Sequence, residues 1–211
     1  MCRLWSQNPL PASLILVALI LPCGCYHLAV DRSSPLRIDL KEFQPIAVLP
    51  LPAVRDDPKI ASEISASVRD FLLEKGYLLV PPSVVNQGLE GIASSGSSLL
   101  SDSTSLHAFA DRTRARLLLV ASILEYHAQK SYISESTSQV WTGPVYSYET
   151  LPTYYQGMMD MRLALKLWDP QKNELVWMAE GHASGPTGTA ALLAKGLVKR
   201  LLADLSPLPR P

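Results

Sequence analysis

Three cysteines, Cys2, Cys23 and Cys25, lie within the first 25 residues, and none occurs after them. That distribution excludes a disulfide framework, a CxxC redox centre and a thiolate metal site in the body of the chain. It leaves open acylation of an N-terminal thiol. Arg3 is the only charged residue before Asp31, and an apolar run over 14–21, extended backward by Leu10 to Ser13, follows it. At about 12 residues the run is shorter than the roughly 20 a helix needs to cross hydrocarbon. A basic start, a short apolar stretch and then small residues is the plan of a signal peptide. Leu21-Pro22-Cys23-Gly24-Cys25 matches the pattern in which a bacterial peptidase cuts before a cysteine that has received diacylglycerol. Gly24 supplies the small residue before the cut, although Pro22 replaces the usual leucine. We expect a signal peptide over 1–24 and lipidation at Cys25. The rivals are Cys23, a signal peptide without lipid, and a short buried helix. Acylation would leave the mature chain without a free thiol, as suits an oxidising periplasm. Tyr26 in place of an aspartate after the cysteine favours the periplasmic face of the outer membrane.

Other reactive side chains are sparse. The four histidines are His27, His107, His127 and His182. His107 and Asp111 stand four apart and would share a helical face, but no HExxH or second ligand cluster accompanies them, so a surface polar pair is expected. In Gly181-His182-Ala183-Ser184-Gly185, His182 and Ser184 would point to the same side of a strand, yet no third member of a triad is identifiable. There is no nucleophile elbow, no P-loop and no dinucleotide glycine pattern. The expectation is a protein without catalytic residues, metal or cofactor. A hydrolase using His182 and Ser184 is the alternative.

Aromatic residues offer binding chemistry instead. Residues 131–156 hold Trp141 and five of the eight tyrosines: Tyr132, Tyr146, Tyr148, Tyr154 and Tyr155. Large rings with a polar tip suit protein interfaces. Trp141, Tyr146, Tyr148, Tyr154 and Tyr155 are therefore the candidate partner contacts. A hairpin whose rings fold back on the sheet is the alternative. A membrane-entering hairpin is disfavoured, because two sustained alternating segments of 9–11 residues are not evident.

These groups need a scaffold, and 211 residues suffice for one domain. With 19 basic and 19 acidic residues the formal net charge is zero, which argues against a nucleic-acid-binding face. A composition 47% hydrophobic and 18% charged excludes a disordered chain. Residues 25–44, beginning at the lipidated N-terminus, read as a flexible tether. Residues 45–205 read as the periplasmic domain and 206–211 as a proline-rich tail. Ile46 to Leu51 predicts a strand covered on both faces. Asp56-Asp57-Pro58 opens a helix with Ile60, Ile64, Val68 and Leu72 on one face, closed by Gly76. Residues 77–80 predict a second strand, and Ser83 to Gly88 a short helix. Residues 91–105 look like a flexible loop, and another helix runs to about Arg114. Residues 117–126 predict the strongest strand. From Met159 clean alternation predicts an antiparallel strand, a turn at 169–173 and a partner strand from Leu175. A last helix over 189–204 places Leu192, Leu193, Leu197, Leu201 and Leu202 on one side. The order gives an α/β (α+β) fold: one mixed sheet, β-α-β-α-β, then an antiparallel hairpin and a C-terminal helix.

The proline-bounded Ile-Ala-Val-Leu-Pro strand, the helix ending at Glu74-Lys75-Gly76-Tyr77, the strand at 115–120 and the Leu-Trp-Asp-Pro…Asn-Glu-Leu-Val-Trp hairpin at 167–177 together carry a resemblance. Over roughly residues 44–185 the chain resembles a family of Gram-negative lipoproteins of unassigned function. Their domain is similar to the N-terminal domain of TolB and to the periplasmic domains of CsgG and LpoB. The resemblance implies an outer-membrane lipoprotein acting in envelope assembly, or an accessory to a CsgG-like transport or secretion assembly. Its partners would be the membrane, other envelope proteins and copies of itself. It brings no catalytic residue.

Overall fold

The computed structural model describes residues 26–205 apart from 37, 56, 93–95, 130–131, 142–145 and 156, and gives only the backbone of 96–97, 133–141 and 146–155. Cys25, the segment expected as a signal peptide (1–24) and the 206–211 stretch lie outside the described residues. A five-stranded sheet runs in the order β1-β7-β6-β3-β2, from β1 (His27–Ser33), β7 (Glu174–Pro186), β6 (Met158–Asp169), β3 (Leu117–Ala128) and β2 (Ile46–Val48). Only β2 and β3 are parallel; every other neighbouring pair is antiparallel. The expected mixed α/β sheet with a closing helix is present.

Burial explains the strand patterns. One face of the sheet carries helices α1 (Pro58–Glu74) and α5 (Ala190–Leu201). Ile60, Ile64, Val68 and Leu72 meet Leu119, Leu163, Leu165 and Leu197 there. The opposite face is covered only at its β2–β3 end, where α2 (Pro82–Leu89) and α4 (Ser103–Thr113) bury Val85, Leu106 and Phe109 against Ala47, Leu118 and Val120. Strands β2 and β3 are thus covered twice at this end and read as unbroken apolar runs. Strands β6 and β7 have one face free of helices and alternate.

Local chemistry sets the helix ends. Asp57 accepts from the Lys59 amide ahead of Pro58, which needs no donor at the first helical position. At the other end Gly76 has φ +88°, and the amides of Gly76 and Tyr77 donate to Leu73 and Leu72 in a Schellman closure. Helix α4 is capped by Asp102, which receives the Thr104 and Ser105 amides. These bonds, led by the one from the Ser105 hydroxyl, hold the Asp102 carboxyl below its usual range.

The structure corrects several expectations. The segment predicted as a tether supplies strand β1, paired with β7 from His27↔Ser184 to Ser33↔Ala179. Leu40 is buried, and Leu36 and Phe43 pack on the core, so the folded domain begins well before residue 45. Residues 77–80 make a single bridge, Leu79 to Ile46, and no strand. The stretch read as a loop at 91–105 contains a short helix, α3 (Gly96–Leu100), whose Leu99 is buried in the second core. Leu192 stands 69% exposed, away from the buried stripe Leu193, Ala194, Leu197, Val198 and Leu201.

Candidate functional site

Between β3 and β6 in the chain lies a separate two-stranded ribbon, β4 (Tyr132–Trp141) with β5 (Tyr146–Tyr155). Ala128 faces Met159 in the first ladder and Tyr132 faces Tyr155 in the second, four residues further along each strand. The Gln129 amide bonding to the Met158 carbonyl extends the first ladder. Ten paired positions at about 3.4 Å each make the ribbon roughly 34 Å long. Two paired ten-residue strands thus exist in a stretch without sustained alternation. The two strands contact chiefly each other.

By register, Trp141, Tyr146, Tyr148 and Tyr154 occupy one face of the ribbon, with Ile133 and Pro152. Tyr155 falls on the other face, opposite Tyr132. Four of the five candidate contacts are thus brought to one face, and the fifth is not. Each face also carries one glutamate, Glu135 with the aromatic group and Glu149 with Tyr155. Neither face is the uninterrupted apolar band of a lipid-facing barrel strand.

Among the described residues no helix covers one face of strands β1, β7 and β6. Across it runs a polar row that the sequence reading missed. Arg162 Nε lies 3.0 Å from Glu180, 3.9 Å from Asp31, and its Nη1 lies 3.8 Å from Glu125. His182 Nδ1 sits 2.8 Å from Asp31 Oδ1, and its ring lies 5.0 Å from that of His27. The residues come from four strands, so only the pairing Glu125↔Arg162↔His182 reveals them. One guanidinium sits among three carboxylates here. Replacing Arg162 with alanine should cost about 1 kcal/mol, discounted for its exposure, and lower the melting temperature by roughly 2–4 °C in a thermal melt.

The catalytic alternative finds little support. His182 is engaged with Asp31, and among the described residues no hydrogen bond joins it to Ser184. The depression beside it, about 470 Å³, is lined by Asp31, Glu125, Asp160, Arg162 and His182 without Ser184. His107 faces the Gln171 carbonyl at 3.4 Å, a surface contact. Among the described residues no group of three His, Cys, Asp or Glu side chains could hold a metal ion. Nor is any described helix long and apolar enough to cross a membrane. A groove of about 490 Å³ between α1 and α2 at the carboxyl end of β2 has mainly small and apolar walls, with Arg69 and Asp70 at its rim. Burial, followed by the Asp39 charge, raises the Tyr77 phenol above its ordinary value and keeps it protonated.

The sequence matches no family model and no curated protein. Solved structures do match. The lipoprotein GNA1162 of Neisseria meningitidis aligns at 15% identity over 75% of this chain and 97% of its own, with a TM-score of 0.48. E. coli LpoB aligns at 14% identity over 67% and 56%, with a TM-score of 0.41. A chain of the PelC dodecamer from Paraburkholderia phytofirmans aligns at 14% identity over 87% of this chain and 100% of that one, with a TM-score of 0.53. What the chain shares with PelC is a fold that spans the whole PelC chain.

Proposed function

We propose that the chain is a lipid-anchored periplasmic protein of the Gram-negative outer membrane that binds other envelope proteins and catalyses nothing. The observation that carries this reading is the β4–β5 ribbon. A two-stranded ribbon by itself is marginally stable in water, and these two strands contact chiefly each other. A partner would supply the missing packing, and the aromatic face is the surface to receive it. Acyl chains on Cys25 would confine the domain to one membrane and raise its effective concentration toward partners there. In cells fed a fatty-acid probe, Cys25→Ser should abolish labelling and move the protein from the membrane to the soluble fraction. Retained label would refute Cys25 as the anchor. For the ribbon, Tyr148→Ala with Tyr154→Ala should cut crosslinking to partners by about tenfold, the scale of one hot-spot loss. Tyr155→Ala, on the opposite face, should have less effect. Equal capture by all variants would remove the ribbon from the interface.

A second reading makes the partner another copy of this chain. The ribbon has two outer edges without strand partners among the described residues, and the PelC chain of the same fold forms a dodecamer. Mass measurement of the detergent-solubilised protein separates the readings, since self-assembly requires a discrete high-order species.

A further inference from the structure

Several chain segments meet at one end of the sheet. A Cβ on Gly185 would come 2.9 Å from Leu193 and 3.2 Å from Tyr26, so the end of β7, the start of α5 and the start of β1 are in contact. Met158, opening β6, pairs with Pro186, and the Thr187 amide and hydroxyl bond to the carbonyls of Gly157 and Gln129. Residues 26–30, 157–159 and 181–194 carry no acid, lysine or arginine, while Lys130 follows Gln129 in the chain. The charges that bound these stretches are Asp31, Asp160, Glu180 and Lys195. Three apolar side chains stand exposed at this end, Leu192 at 69%, Tyr26 at 54% and Met158 at 43%. The opposite end is charged, with Asp169, Lys172 and Glu174 around the β6–β7 turn and Arg114 and Arg116 before β3.

The length of chain outside the described residues decides what covers the uncharged end. In the lipidated protein proposed above, only Cys25 precedes Tyr26, and consecutive Cα atoms lie about 3.8 Å apart. Strand β1 begins at His27. The acyl chains therefore leave the protein within two residues of the sheet, with no tether to hold the domain off. We infer that Tyr26, Met158 and Leu192 seat this end of the domain on the lipid surface that holds Cys25, with the β6–β7 turn directed away from it. This inference rests on acylation of Cys25. Uncharged backbone with a few large apolar side chains is what an interfacial contact requires, and tyrosine is favoured at that depth.

The mature body has no cysteine of its own, which allows single labels. The acylated full chain carrying Leu192→Cys, Met158→Cys or Lys172→Cys would be labelled with an environment-sensitive fluorophore. Each would then be placed in phosphatidylethanolamine–phosphatidylglycerol vesicles containing doxyl-labelled lipid. Quenching at 192 and 158 should exceed that at 172 by ~3-fold or more, as for groups at the headgroup–acyl boundary. Equal quenching at all three sites, or more at 172, overturns the seating. Intact mass separates the two claims: a chain without acyl mass refutes the anchor and the inference with it. An acylated chain with equal quenching refutes the seating alone. Two labels on different elements guard against a variant that disturbs its own site.

Discussion

Replacing Trp177 with alanine should destabilise the domain by about 3–5 kcal/mol, the cost of emptying a large buried aromatic site. Trp177 is 1% exposed, lies opposite Leu167 on β6 and faces the core shared with α1 and α5. Domains of this size have about 5–15 kcal/mol in total, so Trp177→Ala removes a large fraction. With a urea slope near 2 kcal/mol/M, the midpoint should fall by about 2 M. Trp177→Phe should behave differently. Among the described residues the indole Nε1 has no hydrogen-bond partner, and an unsatisfied buried donor costs about 1–3 kcal/mol. Phenylalanine removes that donor while keeping most of the apolar volume. Its loss should stay below about 1.5 kcal/mol, because the two effects oppose each other. Urea titration of both variants decides it. Equal losses would mean that the N–H is satisfied.

Gly181→Val should detach β1 from the sheet. A Cβ at 181 would lie 2.4 Å from the Ala29 carbonyl oxygen, and Leu197 and Leu201 close the other sides at 3.2 and 3.1 Å. The nearest atom belongs to the backbone, so no rotamer change relieves the clash. The expected cost is near the top of the roughly 1–3 kcal/mol range for overpacking. Hydrogen exchange should show lost protection along His27–Ser33 and its β7 partners, with the β3–β6 ladder intact. Gly188 is the control, since a Cβ there meets nothing within 4 Å. Gly188→Ala should stay within about 0.5 kcal/mol of the parent. If the domain is seated as inferred, freeing β1 turns it into a body on a flexible leash, and the quenching difference between 192 and 172 should shrink.

Several elements were legible because their signals are local. Asp57-Pro58 and Gly76 bracket α1 through bonds made within a few residues. Alternation in β6 and β7 reports a sheet with one open face. The aromatic cluster at 131–156 was visible as composition, but its division into two faces was not. Which rings share a face is set by the pairing of β4 with β5, which the cluster itself does not encode.

Sequence alone determined the mixed α/β class, the caps of α1, the confinement of cysteine to the N-terminus and the aromatic enrichment. Each depends on residues adjacent along the chain or on simple periodicity. Tertiary structure decided that 27–33 is a strand, that Leu192 stays outside the α5 stripe, and that Asp31, Glu125, Arg162, Glu180 and His182 form one row. The physical reason is distance along the chain. Residues 27–33 carry no clear alternation, and they become a strand because β7, about 150 residues later, offers an unpaired edge with Gly181 small enough for close approach. Likewise, charges scattered over four strands become neighbours only when hydrogen-bond register fixes which residue lies opposite which.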